Sequence, residues 1–123
     1  VGDVRLRFFF GVAPDPGVRF PYRQVHAYDF WDDDPASPRY NLWMDARQAS
    51  PGADPEPMDV SAYDYGAVIA YNTARTPGFG SAIFLHINIG TLTAGCVTLP
   101  AGELLKILRW LNPAESPRIT LRA

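Results

Sequence analysis

The sequence predicts a mainly β domain with one or two helices. Three observations carry that prediction. Twelve prolines and ten glycines in 123 residues break the chain too often for a helical bundle. The segments between them are short and rich in β-branched and aromatic residues. Only residues 104–111 place apolar side chains at helical spacing over a sustained run.

Taken in order, Val4–Phe10 alternates weakly but is compatible with a first strand. The run "GVAPDPGVRFPYR" is a turn-rich connection. "HAYDFWDDDPASPRYNLWMD" is acidic and aromatic without a clean period, and reads as an ordered loop with a short strand over Tyr40–Met44. "ARQASPGADPEPMDVS" is the most loop-like segment, and a compact domain rarely carries one so long without a use for it. "YGAVIAYN" and "GSAIFLHI" form an antiparallel hairpin around "TARTPGF". Ala67, Ile69 and Tyr71 face one way and Val68 and Ala70 the other. Ile83 and Leu85 likewise oppose Ala82, Phe84 and His86. Strands apolar on both faces belong to a sheet covered on both sides. Pairing Asn72 with Ser81 sets His86 opposite Ala67, with that end of the hairpin near Tyr63 and Tyr65. Tyr71 and Asn72 are either supports of a site or ordinary turn residues.

"PAGELLKILRWLNP" supplies the helix. Leu104, Leu105, Leu108 and Leu111 share a face, and Trp110 is assigned with them to the core. Pro100 suits the entry, Glu103 favours the positive N-terminal end, and Asn112-Pro113 stops the helix. "RITLR" gives a last short strand.

The chain is read as one domain over residues 1–123. A net charge of −2 with scattered basic residues argues against nucleic acid as a partner. No apolar run approaches the roughly 20 residues of a membrane span. One cysteine excludes an internal disulfide framework and a cysteine-rich zinc site. The opening "VGDVRLRFFFGV" reads as the interior of a longer chain.

That cysteine lies in "FLHINIGTLTAGCVTLP", ten residues after one of the two histidines. Fully extended, the segment holds Cys96 roughly 30 Å from His86, so they meet only if the chain doubles back. Gly90 and Gly95 ease that reversal because glycine enters positive φ without a Cβ clash. A thiol attacks a carbonyl as thiolate, and a nearby imidazole promotes its ionisation. Backbone N–H groups of Gly95 and Cys96 are candidates to hold the oxyanion of a tetrahedral intermediate. The alternative is a small buried hydrophobe beside a satisfied core histidine, and spacing alone leaves both open.

The acidic run offers His26, Asp29, Asp32, Asp33 and Asp34 as metal donors, but it lacks the turn glycine of an EF-hand loop. A solvated acidic loop is expected there, with no metal. Its aromatics Tyr28, Phe30 and Trp31 either line a groove or pin the loop to the core.

"GSAIFLHINIGTLTAGCVTLP" followed by "LLKILRWLNP" resembles the catalytic core of the L,D-transpeptidase family, the YkuD-like domain. "DDPASPRYN" and "YDYGAVIAYN" resemble the upstream part of one branch of it. That family carries a histidine at a strand end, a glycine-containing loop and a Ser/Thr-His-Gly-Cys signature. The resemblance implies a YkuD-like β-sandwich or mixed-sheet domain, here lacking its N-terminal part. It implies Cys96 as nucleophile and His86 as base, with Thr93 in the Ser/Thr place and Gly95 as the glycine. Ala94 stands where most members have a second histidine. Val97, Thr98 and Leu99 stand where an arginine often follows.

The implied reaction is acyl transfer on peptidoglycan stem peptides, donor and acceptor, through a thioester that ends in a 3→3 cross-link. It needs no metal or organic cofactor, takes place outside the cytoplasm at the wall or in the periplasm, and is blocked by carbapenems. The alternatives are a hydrolase on the same scaffold and a wall-binding domain that has lost turnover. Trp31, Tyr63, Tyr65, Asn88 and Gly90 are the candidates for lining the substrate groove.

Overall fold

A computed structural model describes residues 2–50, 52–88, 90 and 96–121. It is mainly β with one α-helix, as the sequence predicts. Strand β1 (Gly2–Gly11) anchors a six-stranded mixed sheet with β2 (Tyr22–Gln24), β6 (Gly66–Ile69), β7 (Phe84–Ile87), β8 (Val97–Leu99) and β9 (Arg118–Leu121). Its main path runs β2-β1-β6-β7-β8, and β9 joins the N-terminal half of β1. A smaller sheet has the order β4-β3-β5, from β3 (Asp29–Trp31), β4 (Trp43–Asp45) and β5 (Glu56–Pro57). Helix α1 spans Ala101–Trp110.

The large sheet is covered on both faces, which is what the two-sided apolar pattern of "YGAVIAYN" requires. Ala67, Ile69 and Leu85 pack with Leu104 and Leu108 of α1. Val68, Ala82 and Phe84 pack on the other face with Phe10, Trp31, Met58 and Tyr63. There Trp31 and Phe10 meet Phe84 edge-on, at centroid distances of 5.0 and 5.2 Å. The weak alternation of the first strand has a cause. Pairing between β1 and β6 slips by one residue between Leu6 and Phe9. The extra residue reverses which parity faces which way. Val4 and Leu6 therefore join Phe9 on the helix side, while Phe8 and Phe10 take the other.

Four expectations need correction. The hairpin is antiparallel, but its register places Gly66, not Ala67, opposite His86. A Cβ at position 66 would sit 2.6 Å from Phe10 Cζ and 3.0 Å from the Leu85 carbonyl, so only glycine lets Phe10 lie there. The expected strand over Tyr40–Met44 is instead Trp43–Asp45, because Asn41 takes a left-handed backbone with φ 60° and belongs to a turn. Trp110 is 74% exposed rather than core, since it falls off the stripe through Leu104 and Leu108. Asp29 and Asp32 are buried rather than solvated. Asp29 accepts from the His26 N–H at 2.7 Å and Trp43 Nε1 at 3.2 Å, and Asp32 accepts from Ser37 Oγ and from the Asp34 N–H at 2.9 Å. Those bonds tie the acidic loop to the small sheet. Among the described residues no helix is long and apolar enough to cross a membrane.

Candidate active site

The fold-back from His86 to Cys96 is closed by a parallel pairing. β8 lies beside β7 with Leu85 opposite Val97, His86 opposite Thr98 and Ile87 opposite Leu99. Cys96, one residue before β8, thus comes level with Phe84. Side chains alternate across a strand, so Cys96, Phe84 and His86 project from the same face. A lateral spacing of about 4.8 Å and two residues of rise put the Cα atoms of Cys96 and His86 about 8 Å apart. Both side chains line one cavity of about 470 Å³, at the edge of the aromatic cluster.

The geometry fixes the tautomer of the imidazole. His86 is buried, and its Nδ1 lies 2.9 Å from the Ile87 carbonyl oxygen. A carbonyl only accepts, so Nδ1 carries the proton and Nε2 of the neutral ring holds the lone pair. The edge of the ring packs against Tyr63 at 5.2 Å between centroids. Tyr63 comes from a short 3₁₀ turn over Ser61–Tyr63, whose residues also line the cavity. The turn is pinned to the main sheet where the Val12 N–H donates to the Tyr63 carbonyl at 3.0 Å.

The thiol is half-buried and donates to the Ala82 carbonyl at 3.3 Å. Ala82 has a left-handed backbone (φ 54°), and Asn41 Oδ1 accepts its N–H at 3.2 Å. The same Oδ1 accepts from Trp31 Nε1 at 3.0 Å, and Asn41 Nδ2 donates to the Asn72 carbonyl at 3.0 Å. One buried amide thereby ties the small sheet to the strand entry that carries the thiol's partner. Burial pushes the thiol pKa up, and the carboxylates of Glu56 and Asp33 push it further, while the Phe84 backbone N–H works the other way. Both carboxylates belong to the cavity wall. Tyr63 donates its hydroxyl to Glu56 Oε1 at 2.7 Å, and burial with that bond moves the phenol pKa up as well. The resting site therefore holds a protonated thiol on the same cavity wall as an imidazole whose Nδ1–H is committed to the Ile87 carbonyl.

Of the groove candidates, only Tyr63 lines this cavity. Tyr65 packs on the opposite face, with the helix-side cluster, because its parity is that of Ala67. Trp31 is 2% exposed and belongs to the core, its indole N–H given to Asn41. Asn88 and Gly90 are exposed, and Asn88 Oδ1 accepts the Gly90 N–H at 2.8 Å. Asn72 is a turn residue too, bonding Thr76 and Gly80 across the hairpin tip. Thr93, Ala94 and Gly95 lie outside the described residues, and the expected oxyanion donor of Gly95 with them.

Sequence reasoning did not single out Glu56 or Asn41, and considered Asp33 only as a metal donor. Signals existed for two of them: Glu56 sits between two prolines that hold it extended, and Asn41 interrupts an otherwise strand-like run. No family model matches this chain, and no curated protein or solved structure matches it either.

Proposed function

We propose that this chain is a cysteine acyltransferase of the L,D-transpeptidase type, with a YkuD-like fold, acting on peptidoglycan stem peptides outside the cytoplasm. The observation that carries the reading is the shared face and shared cavity of Cys96 and His86. With the thiol neutral at rest, catalysis runs through proton removal during attack rather than a standing ion pair. His86 Nε2 takes the S–H proton as sulfur bonds to the diamino-acid carbonyl carbon. The C–N bond to the terminal D-alanine then breaks, and the imidazolium returns the proton to the departing amine. The amine of a neighbouring stem attacks the thioester, gives its proton to Nε2 and displaces the thiol, leaving a 3→3 cross-link.

Mass spectrometry of tetrapeptide stems incubated with the protein tests this. The expected products are free D-alanine and a cross-linked dimer. Both are lost in Cys96→Ala, and both fall by ~10²–10⁴ in His86→Gln. Hydrolysed stem without dimer at high acceptor concentration makes it a hydrolase. No D-alanine release from a folded, stem-binding protein refutes catalysis. That last outcome fits the second reading, a wall-binding domain without turnover, which the raised thiol pKa and Ala94 favour.

A further inference from the structure

Arginines that are scattered along the sequence converge on the sheet edge far from Cys96. In the order β2-β1-β6-β7-β8, the Cys96 end and β2 stand at opposite margins, about 19 Å apart at roughly 4.8 Å per strand. Strand β9 pairs only with Gly2–Arg5 of β1, and β2 only with Phe9–Gly11, which leaves a notch between them. Three cavities adjoin along this margin. The first, of about 250 Å³, is lined by Arg5, Arg7 and Ser116. The second, of about 380 Å³, shares Pro21 with the first and is lined by Phe8 and Arg23. The third, of about 350 Å³, shares Tyr22 and Arg23 with the second and reaches Arg47.

The charge along this margin is unmatched. Arg5 stands directly opposite Arg118 across the pairing of β1 with β9, and like charges so placed destabilise a sheet. Val4, Leu6 and Ile119 pack on the helix side, so Arg5, Arg7 and Arg118 leave by the other face. On that face the Arg7 guanidinium lies 5.8 Å from the centre of the Phe8 ring, and that of Arg23 lies 4.5 Å from the Trp43 ring. All four arginines are exposed, and among the described residues none has an ion-pair partner. The nearby carboxylates are already engaged. Asp3 accepts from Thr120 Oγ1 at 2.6 Å, Asp45 is held by Arg47 at 2.8 Å, and Asp29 is buried among its own donors.

We propose that this groove binds a linear phosphate polymer, read through its phosphates alone. From Arg5 to the level of Gln24 the row runs about 20 Å, more than a single anion spans. A guanidinium grips a phosphate with two parallel N–H donors, and the Ser116 hydroxyl adds another in the first cavity. The arginines rise from a sheet face, which offers an acidic peptide no backbone partners. The large exposed apolar side chains that would enter a lipid surface, Phe79 and Trp110, lie at the hairpin tip and on the helix layer. The Phe8 and Trp43 rings are half-buried under guanidinium groups, which closes them to nucleobases. The groove is remote from Cys96, so it holds or fails independently of acyl transfer.

Fluorescence anisotropy of end-labelled polyphosphate, titrated with the whole chain over a range of salt, tests the proposal. Four arginine contacts predict that log Kd rises with log salt at a slope of about 3. The double variant Arg5→Gln, Arg7→Gln is expected to lower that slope to about half and to weaken binding on the order of tenfold at low salt. Arg23→Gln and Arg118→Gln each weaken it several-fold. Lys106→Gln removes one exposed charge from the helix on the opposite face and leaves Kd unchanged. Circular dichroism confirms the fold of each variant. Oligothymidylate of equal phosphate count binding no more tightly than polyphosphate supports phosphate-only reading, and tighter binding by it overturns that reading. Tighter binding of poly-L-glutamate or of phosphatidylglycerol vesicles also overturns the proposal. So does a protein that binds no polyphosphate, or one that loses as much affinity in Lys106→Gln as in Arg118→Gln.

Discussion

Because Nδ1–H of His86 goes to the Ile87 carbonyl, the ring's tautomer is set by the backbone of its own strand, and Nε2 needs no further partner to be a base. The thiol is tuned in the opposite sense, since burial, Glu56 and Asp33 all favour S–H. Its folded pKa lies above the ordinary 9.0, so the folded protein keeps this proton at pH values where the unfolded chain releases it. The stability it contributes is therefore complete below the unfolded value and is lost as pH rises through the folded one. Iodoacetamide reactivity should accordingly climb only at a pH above 9.0, and Glu56→Gln should move that midpoint down. A midpoint unmoved by Glu56→Gln would mean the carboxylate does not act on the sulfur. Little of this was legible beforehand. The histidine and cysteine announce themselves by chemistry, but Glu56 and Asp33 reach the site through tertiary contacts that no local spacing encodes.

Strand entries and turns, more than the strands themselves, position the chemistry. Asn41 holds the Trp31 indole, the Ala82 N–H and the carbonyl of Asn72 with one side chain, from a left-handed turn. Asn41→Ala leaves two buried donors unmatched and should cost roughly 2–4 kcal/mol in chemical denaturation. It should also raise Cys96 reactivity toward small alkylating agents, since the Ala82 carbonyl that holds the thiol loses its anchor. A stability loss below about 0.5 kcal/mol would remove Asn41 from this role. At this scale the sequence was readable where a period was long. The helix and the two-sided hairpin strands follow from their apolar spacing. The register slip in β1, the one-residue error at Gly66 and the two- and three-residue strands of the small sheet do not. Each depends on which neighbour a short segment meets, and short segments carry too few side chains to specify that.

Across the whole molecule, two apolar layers on opposite faces of one sheet divide the labour: the helix layer stabilises, and the aromatic layer also frames the cavity. Leu108→Ala, at 0% exposure, should cost about 2–5 kcal/mol. Trp110→Ser, on the same helix, should stay within about 0.5 kcal/mol in thermal unfolding. Equal losses would place Trp110 against a surface that this packing does not contain. The class of the fold and its double coverage could be argued from composition and parity, whereas the docking of a second small sheet over the aromatic layer could not, because its strands hide in a proline-rich acidic stretch. The account's central claim, that sulfur and imidazole act together in one cavity, is tested most directly by intact mass after incubation with a carbapenem. The account predicts a gain of one whole drug molecule, absent in Cys96→Ala and slowed in His86→Gln. A folded protein whose mass does not change, while iodoacetamide still labels Cys96, would contradict it.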